Sequence, residues 1–176
     1  MIKNNWYVIT GAPCSGKSTI LFLLKNKGYY VVEEAARVYI DQEMAKGRTL
    51  EEIRKNEYAF QKKVLQIKIN NEKRLSKDKL IIFERGIPDS VAYYKLCGIN
   101  KNVLLERSIK NCFYRKIFLF ELLDYQIDYA RTEDKERANH LEKLLEESYQ
   151  YINAPVIKIP KMSIEKRLEI ILSHIN

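Results

Sequence analysis

The sequence has 176 residues, a formal net charge of +8 at pH 7 and a hydrophobic fraction of 46%. This length suits one domain spanning 1–176, and no apolar run approaches the roughly 20 residues that cross a membrane. Three cysteines without metal-ligand spacing favour a reduced, cytoplasmic setting. The positive charge admits nucleic acid or an anionic surface as a partner. However, the lysines are scattered among glutamates and form no run of five like charges, which disfavours nucleic acid.

The first predicted element is a buried strand, the apolar run from Trp6 to Ile9. It leads into Gly11-Ala-Pro-Cys-Ser-Gly-Lys-Ser18, which fits the phosphate-loop pattern G-x-x-x-x-G-K-[ST], and then into the apolar face of a helix. The pattern places Lys17 to reach the β- and γ-phosphates and Ser18 to ligate Mg²⁺. Because strand, loop and helix occur in the order that the mechanism needs, we prefer this interpretation to a chance glycine-rich turn. The predicted nucleotide-binding residues are Gly11, Ala12, Pro13, Cys14, Ser15, Gly16, Lys17, Ser18 and Thr19.

A second strand is predicted at 29–34, with Glu33 and Glu34 at its carboxyl end. Ligands of open parallel sheets bind outside the carboxyl ends of the strands, so either acid is a candidate to orient or deprotonate an acceptor. A helix is predicted over 35–46, and Arg37 in its first turn opposes the helix dipole, which suggests a partner anion. The alternative is a solvated strand end, or a local pair between these acids and Arg37.

Residues 49–52 fit a capping box, and apolar residues at helical spacing predict one long helix from there to Leu75. The buried third strand, 79–83, is followed by Glu84 and Arg85. In phosphate-loop proteins an acid at this point holds magnesium or its water. The alternative is a structural ion pair between Glu84 and Arg85.

The rest of the chain continues to alternate. A helix that starts at 87–90 and ends at Gly98, a short helix around 103–109, a strand at 116–120, a helix ending near Tyr149, a strand at 154–160 and a last helix capped by Ser163 are predicted. The polar connection at about 122–137 is a candidate lid, in which Arg131 is either a phosphate contact or a surface residue. Strands alternating with helices imply a parallel sheet with right-handed crossovers. We therefore predict an α/β, three-layer P-loop NTPase fold of the nucleoside/nucleotide-kinase type, with five parallel strands, helices on both faces and a lid.

Four stretches carry a family resemblance: residues 10–19, Glu33-Glu-Ala-Ala-Arg37, residues 83–94 and residues 128–134. With them the chain resembles the P-loop proteins of the AAA_28 type, close to the nicotinamide riboside kinase domain of the NadR family. The family usually has Asp where this chain has Glu84, and Glu84-Arg85 is also similar to the Glu-Arg-Ser motif of deoxynucleoside kinases.

The residues and the resemblance together lead to the hypothesis of an ATP- and Mg²⁺-dependent kinase that phosphorylates a nucleoside-like hydroxyl. Lys17 would hold phosphates, Ser18 and Glu84 the metal, and Glu33 or Glu34 the acceptor hydroxyl. The cations Arg37, Arg85 and Arg131 would anchor the acceptor or the moving phosphoryl group.

Two other hypotheses remain at this stage. The first is a regulatory NTPase that acts through a partner or a membrane; the absence of Asn-Lys-x-Asp after the fourth strand counts against a dedicated GTPase. The second is a nucleic-acid end kinase. The acceptor, the choice between ATP and GTP, the identity of the base and the oligomeric state stay open.

Overall fold

The computed structural model describes residues 4–123 and 135–175. Within them, five strands form one sheet in the order β2-β3-β1-β4-β5, with parallel pairing throughout. The strands are β1 (Trp6–Gly11), β2 (Tyr30–Val32), β3 (Ile81–Glu84), β4 (Lys116–Phe120) and β5 (Val156–Ile159). The helices are α1 (Lys17–Asn26), α2 (Ala35–Met44), α3 (Leu50–Arg54), α4 (Glu57–Arg74), α5 (Asp89–Leu96), α6 (Val103–Asn111), α7 (Lys135–Tyr149) and α8 (Ile164–Ile175). The predicted fold class is confirmed.

The central strand β1 is buried along its whole length and carries side chains into two cores. Tyr7 and Ile9 pack on one face in a cluster that includes apolar residues of α1 and α8. Trp6 and Val8 pack on the other face with aromatic rings that include Tyr149 of α7. Burial on both faces explains why this strand reads as a continuous apolar run rather than an alternating one.

The prediction of one long helix between residues 49 and 75 is wrong. The capping box at Thr49 is confirmed, but α3 ends after one and a half turns and α4 starts afresh at Glu57. Asn56 adopts an extended conformation, and its side chain accepts a hydrogen bond from the Ala59 amide at 2.9 Å. A short polar side chain of this kind is a strong N-cap, so it begins a new helix. Ile53 and Phe60 nevertheless share one core cluster across the break, which is why the apolar period runs through it.

The predicted lid, 122–137, falls mainly on residues outside the described ranges, and Arg131 lies there too. Its first two residues precede the gap, and α7 already begins at Lys135. Of the helices in the described parts of the chain, none combines the length and the apolar composition that crossing a lipid bilayer requires.

The strand order places the functional segments side by side. Because β3 is a neighbour of β1, Glu84 is in register with Ile9, just before the phosphate loop. On the other side of β1, Phe120 at the end of β4 is in register with Gly11. The carboxyl ends of the strands therefore meet at one edge of the sheet, with the phosphate loop at its centre.

Candidate active site

The phosphate loop closes tightly against the end of β4. Gly11 has a φ of +147°, and a Cβ added there would lie 2.5 Å from the carbonyl oxygen of Phe120, so no side chain fits. Gly16 has a φ of +80° and directly precedes α1, which starts at Lys17. Both glycines thus meet needs that other residues could not meet without strain.

Lys17 is a buried cation that is held by neutral oxygens. Its Nζ donates to the Ala12 carbonyl at 2.8 Å and to the Ser15 hydroxyl at 2.9 Å, and the residue is only 6% exposed. Burial, with a contribution from nearby Arg85, lowers the pKa of Lys17 to about 7, although three carboxylates in the site oppose the shift. Bringing an anion to this ammonium group would relieve the cost of burying it. The loop therefore fits the phosphates of a nucleotide.

Arg85 holds the centre of the site in an unusual backbone conformation. Its φ of 64° is left-handed, which is rare for a residue with a side chain. Its Nε donates to Glu34 at 2.9 Å and its Nη1 donates to Asp89 at 3.2 Å. The side chain is 5% exposed. The sequence left open a structural ion pair between Arg85 and Glu84. Among the described residues, the Arg85 guanidinium forms its ion pairs with Glu34 and Asp89 instead.

The two neighbouring acids after β2 have different surroundings. Burial alone would raise the pKa of Glu34, but Arg85 and Lys17 outweigh it and lower that pKa, so Glu34 is ionised at neutral pH. Glu33 instead points to α1, where it pairs with Lys25 at 2.5 Å and is 60% exposed. Arg37 is exposed and lies within electrostatic reach of both acids. The structure brings Glu34, and not Glu33, to Arg85.

Glu84 and Ser18 are the residues that the sequence predicts as metal ligands. Burial and the charge of Glu34 raise the pKa of Glu84, with Lys17 opposing. Ser18 is exposed in the first turn of α1. The described residues hold no cluster of three His, Cys, Asp or Glu side chains that could bind a metal. Magnesium usually keeps several waters and takes one or two protein oxygens plus phosphate oxygens, so a hydroxyl and one carboxylate fit it.

Asp89 is a buried carboxylate of the candidate site that the sequence did not single out. It is completely buried and accepts hydrogen bonds from Thr10 at 2.5 Å, from the Gly86 amide at 2.9 Å, from Arg85 and from the Tyr149 hydroxyl. These donors come from β1, from the loop after β3 and from α7. The signal in the sequence was weak, because an acid at the start of a helix is ordinary.

A cleft of about 320 Å³ opens beside Glu34 and Arg85. It is lined by the charged residues Glu34, Arg37, Arg54, Lys68 and Arg85 and by Ala36, Ile40, Leu50, Phe60, Gln61, Val64 and Tyr93. Lys68 is fixed there, because its Nζ donates to the Gly86 carbonyl at 2.8 Å. Phe60 and Val64 belong to the apolar residues at helical spacing that predict a helix ending at Leu75, and this spacing is typical of core packing. They are buried, but they also line this cleft.

The sequence matches one family of known proteins over most of its length. A family profile described as an AAA domain, AAA_28, matches residues 6–167. No curated protein matches the sequence.

Solved structures share the fold. A deoxyadenosine kinase from M. mycoides with dCMP and a flexible dCDP bound has a TM-score of 0.68 at 18% identity, with 97% of this chain and 98% of that chain covered. The same kinase with bound dATP has a TM-score of 0.63 at 18% identity and coverages of 97% and 99%. A thymidylate kinase from Ehrlichia chaffeensis has a TM-score of 0.65 at 13% identity, and 98% of each chain is covered.

Proposed function

We propose that this chain, which belongs to the AAA_28 family of AAA domains, is an ATP- and Mg²⁺-dependent kinase that acts on a hydroxyl group of a nucleoside-like molecule. The observation that carries the proposal is the position of Glu34. This ionised carboxylate lines the cleft, pairs with Arg85 and lies within electrostatic reach of Lys17. A nucleotide switch needs a phosphate loop, but it does not need a carboxylate facing a second, ligand-sized cleft.

On the donor side, Lys17 holds the β- and γ-phosphates, and the amides of the phosphate loop cradle the α- and β-phosphates. Ser18 would bind Mg²⁺ directly and Glu84 would hold it through water. The ion supplies charge neutralisation between the phosphate oxygens when it is bound. The side chains of the site have little covalent chemistry to do, since phosphoryl transfer depends mainly on positioning and electrostatics.

On the acceptor side, the hydroxyl oxygen attacks the γ-phosphorus, the bond from that phosphorus to the β,γ-bridging oxygen breaks, and ADP leaves. Glu34 accepts the hydrogen bond of the hydroxyl and takes its proton. Arg85 keeps Glu34 ionised and in place, and Arg37, exposed near Glu34, steadies the acceptor or the transferred group. Arg131 would close from the lid, in which case Arg131→Ala lowers the rate by roughly 10³–10⁵. A change of less than tenfold contradicts this role.

The size and the lining of the cleft support a small-molecule acceptor. Its volume of about 320 Å³ falls in the range that small-molecule pockets occupy, roughly 300–1,000 Å³. The rings of Phe60 and Tyr93 and the side chain of Gln61 line the cleft. Arg54 lies 4.8 Å from the centre of the Phe60 ring and Arg85 lies 5.3 Å from the centre of the Tyr93 ring, so the lining combines aromatic rings with a few charged groups, as small-molecule sites do. The structural neighbours that carry bound dCMP, dCDP and dATP support the same class of ligand.

The test is turnover of ATP with Mg²⁺ against a panel of nucleosides that includes nicotinamide riboside, with GTP as a second donor. One acceptor should raise turnover many-fold and gain the mass of one phosphate. Lys17→Ala should abolish the reaction. Glu34→Gln should lower turnover by roughly 10²–10⁴, the usual contribution of general acid–base catalysis. Glu33→Gln is the matched control and should leave turnover near that of the wild type.

The opposite result is also clear. If the chain binds nucleotide but no acceptor raises turnover, the kinase proposal is wrong and a regulatory NTPase becomes the better hypothesis. Tight, steeply salt-dependent binding of DNA or RNA would instead point to a nucleic-acid end kinase.

A further inference from the structure

Arg167, in the first turns of the last helix, is buried against the phosphate loop. It is 2% exposed, although it is an arginine. Its Nη1 donates to the Ser15 carbonyl at 2.8 Å and its Nε to the Pro160 carbonyl at 3.0 Å. The guanidinium carbon lies 5.4 Å from the centre of the Phe120 ring. Its Nη2 is buried and has no hydrogen-bond partner among the residues that the structure describes.

This burial is expensive and needs a reason. Burial lowers the pKa of Arg167, and the charge of Glu121 opposes the shift only in part. Among the described residues the guanidinium has no carboxylate in ion-pair contact and is satisfied by two backbone carbonyls and a ring. A leucine or methionine would fill the same space without desolvating a charge. The feature unique to arginine here is that one rigid group donates in two directions at once.

Peptide geometry shows what the contact with Ser15 does. The described peptide bonds are all trans. In a trans peptide the carbonyl and the following amide point in opposite directions. Holding the Ser15 carbonyl toward Arg167 therefore turns the Gly16 amide to the other side of the loop.

A second contact acts in the same way on the preceding peptide. The Leu123 amide donates to the Cys14 carbonyl at 3.3 Å, which turns the Ser15 amide away from that contact. Two consecutive loop carbonyls are thus held from outside. In a phosphate loop the successive amides cradle the α- and β-phosphates.

We propose that Arg167 is a positioning residue that aims loop amides, the Gly16 amide above all, at the β-phosphate of a bound nucleotide. The inference rests on the proposed binding of a nucleoside triphosphate. It makes α8 part of the nucleotide site, although Arg167 lies 152 residues after Ser15 in the sequence.

The test measures the binding of ATP, ADP and AMP by titration calorimetry in the presence of Mg²⁺. The proteins compared are the wild type, Arg167→Met, Arg167→Lys and Lys166→Met, each at a temperature below its own melting temperature. Lys166 is the control because it is the exposed neighbour on the same helix. Arg167→Met should weaken ADP and ATP by roughly 10- to 100-fold, the loss expected for a charge-assisted hydrogen bond. AMP has no β-phosphate, so its affinity should change less than about threefold. The ADP affinity of Arg167→Lys, which keeps one donor for Ser15, should lie between that of the wild type and that of Arg167→Met.

The outcomes separate this inference from the proposed function. Unchanged ADP binding in Arg167→Met overturns the inference alone. So does an equal loss for ADP and AMP, because that is the result of a purely structural role. Failure of the wild type to bind ADP or ATP overturns the nucleotide-binding proposal and the inference together. If Arg167→Met does not fold, the ADP-to-AMP ratio of Arg167→Lys decides.

Discussion

Replacing Asp89 by Asn tests whether one buried carboxylate holds the site together. The substitution keeps the shape of the side chain, but it removes the charge and turns one acceptor oxygen into a donor. Arg85 then loses one of its two carboxylate partners, and Thr10 and the Gly86 amide compete for the oxygen that remains. The expected result is a less stable protein with a loosened Arg85.

The magnitude follows from burial. Removing one partner of a buried ion pair costs about 3–5 kcal/mol, because the other charge stays behind without compensation. Arg85 keeps Glu34, so we expect the lower end, about 3 kcal/mol. In a chain of this length about 1 kcal/mol shifts the midpoint of thermal unfolding by roughly 2–4 °C, so the midpoint should fall by roughly 6–12 °C. The measurement is thermal unfolding followed by circular dichroism at pH 7.

The control is Glu147→Gln, which breaks an exposed pair with Lys95 whose side-chain exposures are 52% and 35%. Exposed pairs are screened by solvent, so this variant should melt close to the wild type. A midpoint for Asp89→Asn within 2 °C of the wild type, on the order of 1 kcal/mol or less, would refute the reasoning. Reduced stability with unchanged turnover would show that Glu34 alone positions Arg85.

Three further predictions concern single groups. At pH 8, the protein should take up close to one proton when Mg-ADP binds. The pKa of Lys17 in the free protein is lowered to about 7, and a bound phosphate raises it. Calorimetry in buffers of different ionisation enthalpy measures this proton uptake, and Lys17→Met should abolish it. Burial raises the pKa of Glu72 from 4.5 to about 7, so between these values the folded chain holds a proton that the unfolded chain releases, and stability falls as pH rises. In urea titrations at a series of pH values, the free energy of unfolding of Glu72→Gln should fall by roughly 3 kcal/mol less than that of the wild type over this range. An unchanged dependence of that free energy on pH would contradict the burial of this carboxyl. Asn56→Ala should cost about 1 kcal/mol of unfolding free energy by removing the cap of α4, whereas the exposed Asn100→Ala should not differ from wild type.

The parts of the fold that could be predicted are those written in short stretches of sequence. The strand at 116–120 has the bounds that its apolar run predicts. The capping box at Thr49 is a pattern of four residues, and the structure has both of its hydrogen bonds. The phosphate loop is recognisable because its glycines and Lys17 act within eight residues. In such patterns the interacting residues are close together in the sequence, so the contacts can be predicted without knowing the fold.

The groups that could not be predicted depend on long-range contacts. Asp89 collects donors from Thr10, 79 residues earlier, and from Tyr149, 60 residues later. The cleft joins α2, α3, α4 and α5, and its apolar residues look like an ordinary helix core in the sequence. The cap at Asn56 was missed for a different reason, since the apolar period on either side of it stays in phase.

Arg85 shows how these long-range contacts and the local pattern combine. Its place after an apolar strand predicted a site residue, but not its left-handed backbone, which costs of order 1–3 kcal/mol and persists only when the surroundings determine it. Those surroundings are distant. The Ile9 carbonyl accepts from the Arg85 amide at 3.0 Å, and Glu34 and Asp89 hold its side chain. The first contact exists only because β3 lies beside β1, and alternating strands and helices do not dictate that order. The same adjacency brings the guanidinium into the electrostatic reach of Lys17. The strand order, which no local pattern encodes, therefore creates the link between the phosphate loop and the cleft that Arg85 lines.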